Sequence, residues 1–154
     1  FYAAYFAMRA KAFSIPVMVG GLESQKQEFK RIKALDKQAS PVEQNLLREL
    51  EVSMEMYQRG YEFMTVDIQY SQARRFSIKD GKLLPPFTMI ESLGETVADS
   101  IGAEREKRPF TSLKDLQRRC KVSNTIVEKM KELKCLGDLP EDEQMSLFGD
   151  WEIE

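Results

Sequence analysis

The sequence predicts a mainly α-helical fold with a small β element. Apolar residues recur at helical spacing over residues 42–57, and serine, proline and glycine residues mark several helix ends. After residue 60 the pattern changes to short β-favouring runs. We expect four segments: a helical segment over residues 1–60, a small β connector over 61–85, a helical unit over 86–138 and a flexible acidic tail over 139–154.

The first segment is predicted to contain three helices. Residues 1–13 combine good helix formers with apolar side chains, and Pro16 follows, which a helix interior does not tolerate. Residues 24–37 are highly charged with apolar residues at near-helical spacing, which predicts a more exposed helix.

The third helix has the clearest end signals. Ser40, Pro41 and Glu43 have the pattern of a capping box with proline in the first helical position. Gly60 stands where a left-handed C-cap is expected. A helix is therefore predicted between these residues.

The second segment is predicted to form a small sheet. Its strand candidates are residues 63–68, 75–78 and 82–84. Asp80 and Gly81, between the last two runs, are typical of a tight hairpin turn.

A helical hairpin is predicted around Gly94. Ser92, Leu93, Gly94 and Ala98 follow the spacing small residue, apolar residue, glycine and later alanine. In such a hairpin two short helices meet at a turn whose backbone N–H groups, with the positive end of the second helix, hold a phosphate. Leu93 is expected to fix the turn from inside, Ala98 to allow close helix packing, and Gly94 to require a positive φ.

This turn is predicted to contact the DNA backbone, with little sequence preference. Glu95 suits the helix dipole but places a negative charge beside the phosphate. The alternative interpretation is an ordinary helical hairpin with a glycine turn. The predicted contact residues are Ser92, Leu93, Gly94, Glu95 and Thr96.

A second hairpin is predicted downstream, which makes a four-helix unit with the first. Ser112 and Ser123 are expected N-caps, and Asp115 stands three residues after the first of them. Basic residues cluster along the middle of the unit, although a solvated helix face gives the same pattern. Five of them are predicted DNA contacts: Arg105, Lys107, Arg108, Arg118 and Arg119.

The tail contains a short peptide pattern. A glutamine, an apolar residue, a small residue, leucine and phenylalanine are typical of a linear peptide that binds extended in a hydrophobic pocket. The alternative is that the apolar tail residues pack on the core. The five residues are Gln144, Met145, Ser146, Leu147 and Phe148.

Composition excludes several kinds of chemistry. The chain has no histidine, which removes the usual general base near neutral pH and a common zinc ligand. Cys120 and Cys135 are too few for a four-thiolate site, and we expect no disulfide. The apolar stretches are shorter than the ~20 residues that cross a bilayer, so no membrane partner is expected. Six acidic and no basic residues lie in the tail, so the remaining body is mildly basic and suits a polyanionic partner.

The order of these features resembles the C-terminal region of the PolC-type replicative DNA polymerase, the DNA polymerase III alpha subunit of low-GC Gram-positive bacteria. The most distinctive match is Leu84, Pro85, Pro86 and Phe87 before the hairpin. Met145 and Ser92 depart from the leucine and glycine usual in that family. The other matches are residues 1–6, 59–61, 66–67, 109–110, 114–116 and 144–148.

The resemblance implies a helix-hairpin-helix unit that grips duplex DNA, a tail that binds the sliding clamp, contact with the rest of the polymerase chain and a cytoplasmic location in a bacterium. It also implies a Mg²⁺-dependent parent enzyme whose carboxylates hold two metal ions. The chain has no Asp-x-Asp pair, so we expect those carboxylates upstream and no catalytic residue, cofactor or metal site here. A start at Phe1, without methionine, suggests a piece of a longer protein.

Two other functions stay open from the sequence. A helix-hairpin-helix module of a repair or recombination protein would bind DNA but not the clamp. A protein-interaction scaffold would show no salt-dependent DNA binding.

Overall fold

The computed structural model describes residues 1–9 and 12–142 and confirms a mainly helical fold with one small antiparallel sheet. No helix within those residues combines the length and the apolar character that a bilayer span requires. The helices are α1 (Tyr2–Met8), α2 (Ile15–Val19), α3 (Leu22–Leu35), α4 (Pro41–Gln58), α5 (Glu95–Lys107), α6 (Leu113–Cys120) and α7 (Asn124–Glu132), and the strands are β1 (Ser77–Lys79) and β2 (Lys82–Leu84).

The first helix is shorter than the sequence predicted, and α2 was not predicted. α1 ends at Met8, well before Pro16. Pro16 lies in the first turn of α2, where its missing N–H would have no intrahelical partner in any case. The proline therefore opens a helix, whereas it was predicted only to end one.

Both predicted ends of α4 are confirmed. The Glu43 amide donates to Ser40 Oγ at 3.2 Å, and the Ser40 amide donates to Glu43 Oε2 at 2.9 Å, which completes the capping box. Gly60 follows the helix with a φ of 89°, a left-handed conformation that glycine adopts without strain.

The sheet is a single hairpin. β1 and β2 pair with Ser77 opposite Leu84, and Asp80 and Gly81 both have positive φ, as a two-residue hairpin turn requires. The prediction of a strand over residues 63–68 is wrong. This segment makes one parallel bridge, between Phe63 and Leu83.

The segment then leaves the sheet because its next polar groups bind the end of the helical unit. Thr65 Oγ1 donates to the Leu133 carbonyl at 3.0 Å, and the Ile68 amide donates to the Cys135 carbonyl at 2.8 Å. Phe63, Val66 and Ile68 are nevertheless buried, and the last two have the two-residue spacing of a strand, which explains why the sequence resembles one.

The helical unit over residues 86–138 has three α-helices instead of the predicted four. A single 3₁₀ turn, Phe87–Met89, occupies the place of the first helix. Pro86 is extended, with φ −78° and ψ 166°, and the chain turns again at residues 91–92, so only one helical turn fits between them.

One cluster of buried apolar residues runs from Phe6 to Leu136. Its N-terminal end contains edge-on aromatic pairs, with ring centroids 5.0 Å apart for Phe6 and Phe63 and 5.2 Å apart for Phe13 and Phe63. The cluster includes residues from each of the first three predicted segments, whose boundaries stay a prediction.

Both cysteines are free and buried. Burial raises the pKa of the Cys120 thiol to about 11 and that of Cys135 to about 12. Both side chains are therefore neutral thiols at physiological pH and behave as small apolar residues.

Candidate nucleic-acid interface

The first turn, residues 92–94, joins the 3₁₀ turn to α5. Ser92 is left-handed with a φ of 69°, and Leu93 is buried beneath it. Gly94 is the N-cap of α5, with φ −76° and ψ 163°. The expectation that Gly94 has a positive φ is therefore wrong, because the reversal of the chain occurs at Ser92.

Gly94 is exposed and leaves the start of α5 open. A Cβ on Gly94 would meet no atom within 4 Å apart from the neighbouring residues of the chain, and no side chain caps the helix at this position. Neither backbone strain nor internal packing therefore requires a glycine here. The exposed amides at the start of α5 carry the positive end of the helix dipole, the arrangement that binds phosphate groups in proteins.

The second turn, residues 121–123, joins α6 to α7 and has the same backbone form. Lys121 is left-handed with a φ of 56°, Val122 is buried, and Ser123 is an extended N-cap with φ −72° and ψ 160°. The sequence predicted the helix ends here but not the equivalence of the two turns, because lysine is unusual in a left-handed position. The spacing of Val122 and Val127, which matches Leu93 and Ala98, was the available signal.

The two turns differ in what covers their amides. In the second turn Ser123 Oγ accepts a hydrogen bond from the Ile126 amide at 3.3 Å. Gln117 Nε2 donates to the Val122 carbonyl at 3.3 Å and to Asn124 Oδ1 at 2.8 Å. A side chain therefore caps one amide at the start of α7, whereas no side chain caps the start of α5.

Arg74 offsets part of the acidic charge at the start of α5. Its guanidinium lies 3.1 Å from the Glu95 carboxylate and donates to both Asp99 oxygens, at 2.9 and 2.6 Å. The hydrogen bonds from Arg74 hold the pKa of Asp99 below its usual range. Arg74 therefore pairs with the negative charge predicted beside the phosphate, but it shares its own charge between Glu95 and Asp99, so these three groups together stay negative. No local pattern connects Arg74 to α5.

Lys129 of α7 reaches the first turn from the second hairpin. Its ammonium donates to Ser92 Oγ at 3.2 Å and lies 3.8 Å from the Glu91 carboxylate. This lysine is not among the predicted site residues, because it lies far along the chain from residue 92.

Arg119, a predicted DNA contact, is used inside the protein. Its side chain is 8% exposed and donates to Asp115 Oδ2 at 3.0 Å, to the Arg108 carbonyl at 3.0 Å and to the Pro109 carbonyl at 3.3 Å. The guanidinium also lies 4.6 Å from the centre of the Phe110 ring. These contacts tie the end of α5 to α6.

Arg105 is likewise bound to the chain itself. It donates to the Ile68 carbonyl at 3.1 Å and to the Ser71 carbonyl at 2.7 Å. The geometry gives Arg105 and Arg119 structural contacts within the chain, and their DNA contacts stay a prediction.

The remaining predicted basic residues are more exposed but paired. Arg108 and Arg118 donate to Asp115 Oδ1 at 3.2 and 2.9 Å, and Lys107 donates to Glu104 at 2.9 Å. Burial would raise the pKa of Asp115, but the bond from the Thr111 amide and the surrounding guanidinium groups outweigh it and lower the pKa to about 2. Two exposed arginines sharing one carboxylate still leave a net positive surface.

The described residues do not fit a two-metal polymerase site. Across residues 1–9 and 12–142, no three His, Cys, Asp or Glu side chains are grouped so that they could hold a metal ion. The predicted tail peptide, with Gln144, Met145, Ser146, Leu147 and Phe148, lies outside the described residues.

Comparison with known proteins identifies a matching family and several relatives of this chain. A family model described as helix-hairpin-helix motif matches residues 60–145. The chain is 45% identical over 148 residues to DNA polymerase III PolC-type of Caldanaerobacter subterraneus subsp. tengcongensis, covering 96% of this chain and 11% of that protein. Identity to the proteins of the same name is 44% over 152 residues in Streptococcus suis and 43% over 153 residues in Streptococcus pyogenes, which covers 97% and 98% of this chain and 10% of each relative. The chain spans about a tenth of the length of these relatives.

Proposed function

Because this chain belongs to the helix-hairpin-helix motif family and is homologous to a region of PolC-type DNA polymerase III, we propose that it grips the backbone of duplex DNA through the first turn. The open N-terminus of α5 at Gly94 carries the proposal. The space beside Gly94 is open, since a Cβ there would meet no atom within 4 Å apart from the chain neighbours, so a phosphate oxygen has room to approach the amides on this side.

The residues proposed to face the backbone are those exposed at the start of α5. Gly94, Glu95 and Thr96 offer main-chain N–H groups, and Arg74 reduces the repulsion between Glu95 and the phosphate. Leu93 acts from below by fixing the turn, because it is buried. Main-chain contacts read no base, so binding is expected without sequence preference.

The exposed basic side chains supply a second, electrostatic contribution. Lys121 in the second turn and Arg108, Arg118 and Lys107 beside it are exposed. Three of the four share carboxylates with their neighbours, so each is expected to add less than a fully unpaired charge. The overall affinity is therefore expected to be weak.

Titration of a fluorescent duplex with the 154-residue chain tests this function. Fluorescence anisotropy should show binding at low salt, with equal affinity for two duplexes of unrelated sequence. The logarithm of the binding constant should fall with the logarithm of the salt concentration at a slope of about −0.9 for each phosphate neutralised. Absence of binding at low salt, or a strong preference for one sequence, would contradict the proposal.

The tail supplies the second part of the proposed function. Residues 144–148 have the pattern of a peptide that docks in a hydrophobic pocket of the sliding clamp, with Leu147 and Phe148 as anchors and Gln144 as a hydrogen-bonding residue. Together with DNA gripping, clamp binding would tether a polymerase to its template. The polymerase relatives favour this function over a repair module, because they match nearly the whole chain.

The parent activity is proposed as template-directed DNA synthesis in the bacterial cytoplasm. Its chemistry would use Mg²⁺ held by carboxylates in another part of the polymerase, since the described donor set does not fit a metal pair. This chain would contribute binding and positioning to that reaction.

A further inference from the structure

We propose that Lys129 is a positioning residue for the first turn and holds Ser92 in its left-handed conformation from the neighbouring hairpin. This inference rests on the proposed DNA-binding function. The Lys129 ammonium donates to Ser92 Oγ at 3.2 Å and to the Glu91 carbonyl at 3.5 Å, and it lies 3.8 Å from the Glu91 carboxylate. All three contacts fall on the two residues that reverse the chain before Leu93.

The first turn needs such support because its left-handed residue is a serine. Ser92 has a φ of 69°, a conformation that brings Cβ close to the following carbonyl oxygen and that glycine adopts without this clash. Ser92 is also exposed, so no packing around its side chain fixes the backbone. The Leu93 amide donates to the Ile90 carbonyl at 3.1 Å across this turn, and the bond from Lys129 to the Ser92 hydroxyl adds a side-chain tie to it.

The second turn meets the same requirement differently. Lys121 has a φ of 56°, and Gln117 of the preceding helix donates to the Val122 carbonyl and to Asn124. That support comes from within its own hairpin. Lys129 instead belongs to α7, so the first turn is supported by a helix of the second hairpin.

The expected effect on DNA binding follows from the population of the formed turn. Only chains in which Ser92 is left-handed place the α5 amides for a phosphate, so the apparent affinity is the intrinsic affinity multiplied by the fraction in that state. Removing Lys129 lowers this fraction and leaves the intrinsic contacts unchanged. A residue that itself neutralised a phosphate would instead contribute to the salt dependence of binding.

Lys129→Met tests this role, with Lys131→Met as the matched control on the same helix. Lys131 is also a lysine with carboxylate partners, Glu128 and Glu141, but it does not contact the first turn. Lys129→Met should weaken duplex binding by about fivefold, with an unchanged salt slope. A loss of this size is typical of the interaction energy between two residues in contact. Lys129→Arg should restore most of the affinity, and Lys131→Met should lower it less than about twofold.

The effect of Lys129→Met is then measured in a chain that also carries Ser92→Gly. Glycine adopts the left-handed state without support, so Lys129→Met should lose much less affinity in Ser92→Gly than in the unaltered chain. An effect of Lys129→Met equal to that of Lys131→Met would overturn the inference. So would a salt slope reduced by about 0.9, which indicates direct phosphate contact.

Urea unfolding of the unaltered chain, Lys129→Met, Ser92→Gly and the combined variant separates this inference from the proposed function. If the unaltered chain binds no duplex, the proposed function fails by itself. A non-additive change in the unfolding midpoint between positions 92 and 129 would still support the contact that holds the turn. Additive midpoints would overturn it, whether or not the chain binds DNA.

Discussion

Ser92 and Lys121 occupy equivalent left-handed positions, with φ of 69° and 56°, each followed by a buried apolar residue and a helix N-cap. Two hairpins with different side chains thus share one backbone form. At both positions a residue with a Cβ adopts the left-handed conformation, which is unusual. The strain of this conformation should lower the stability of the protein by a measurable amount.

Lys121→Gly is expected to be more stable than Lys121→Ala by roughly 0.5 to 1 kcal/mol. Both variants remove the same charge, but glycine alone relieves the left-handed strain at this position. Urea unfolding of the two variants measures the difference. Equal free energies of unfolding would show that the left-handed conformation carries no strain.

Asp115→Asn is expected to destabilise the protein by about 2 kcal/mol at pH 7. The folded pKa of Asp115 is lowered to about 2, below the ordinary 3.8, so ionisation of this carboxylate favours the folded state. Its contribution is complete above pH ~4 and disappears as the pH falls towards 2. Arg119 would also lose a buried partner.

The stability difference between Asp115→Asn and the unaltered chain should therefore shrink between pH 5 and pH 2 in urea unfolding experiments. Asp80→Asn serves as the control, because Asp80 is exposed in the β-hairpin turn. A large destabilisation by Asp80→Asn, or a pH-independent effect of Asp115→Asn, would contradict this account.

Glu49→Gln is expected to stabilise the protein at pH 7, by on the order of 1 kcal/mol. Glu49 is buried, Tyr5 donates to its Oε1 at 3.5 Å, and its Oε2 has no hydrogen-bond partner in the part of the chain that the structure describes. Burial raises the pKa of this carboxyl group above its ordinary value.

A raised folded pKa means that protonation of Glu49 favours folding. Its favourable contribution is present below the unfolded pKa and is lost as the pH rises through the folded pKa. Thermal unfolding should thus show a higher melting temperature for Glu49→Gln than for the unaltered chain at pH 7, and little difference between the two at pH 4. Glu51→Gln, at an exposed position of the same helix, should change the melting temperature little, and an equal shift for both variants would exclude a burial effect.

The combined variant Leu147→Ala with Phe148→Ala is expected to abolish clamp binding and leave DNA affinity unchanged. Burial of the two side chains contributes about 1.5 to 3 kcal/mol each, and ordering the peptide opposes it, so affinity near 1 μM, about −8 kcal/mol, is the expected scale. A peptide of residues 143–150 should bind the clamp nearly as well as the whole chain in calorimetry. Unfolding of the protein by the double substitution would instead mean that these residues pack on the core.

Local signals explain which features the sequence predicted correctly. The capping box of α4, the turn at Asp80 and Gly81, and the N-cap role of Ser123 each depend on residues within a few positions of one another. Such patterns are visible in a single sequence because their physical causes are local.

The missed features depend on contacts between distant residues. Arg74 pairs with Glu95 and Asp99, and Lys129 reaches Ser92, across separations that no spacing rule connects. The internal contacts of Arg119 were not predicted for the same reason, because its partners come together only when α5 and α6 pack. A charge pattern identifies a basic segment but not which of its charges are used internally.

Gly94→Ser is expected to raise the free energy of unfolding by a few tenths of a kcal/mol, roughly the difference between serine and glycine at an N-cap. The φ of Gly94 is negative and the space around its Cβ is open, so the substitution introduces no strain or clash. Gly60→Ser is the contrasting control, because its φ of 89° should make a side chain destabilising. A loss of stability in Gly94→Ser as large as in Gly60→Ser would show that the first turn requires glycine for folding.

The duplex affinity of Gly94→Ser relative to Arg118→Ala tests the central claim most directly. Gly94→Ser places a side chain where the phosphate would approach and lets its hydroxyl occupy an α5 amide, as Ser123 does in α7. Arg118→Ala removes one exposed charge that already shares Asp115. Anisotropy titrations at one salt concentration should show the larger loss of affinity for Gly94→Ser. An equal or smaller loss would mean that the basic surface binds the DNA and that the first turn is only structural.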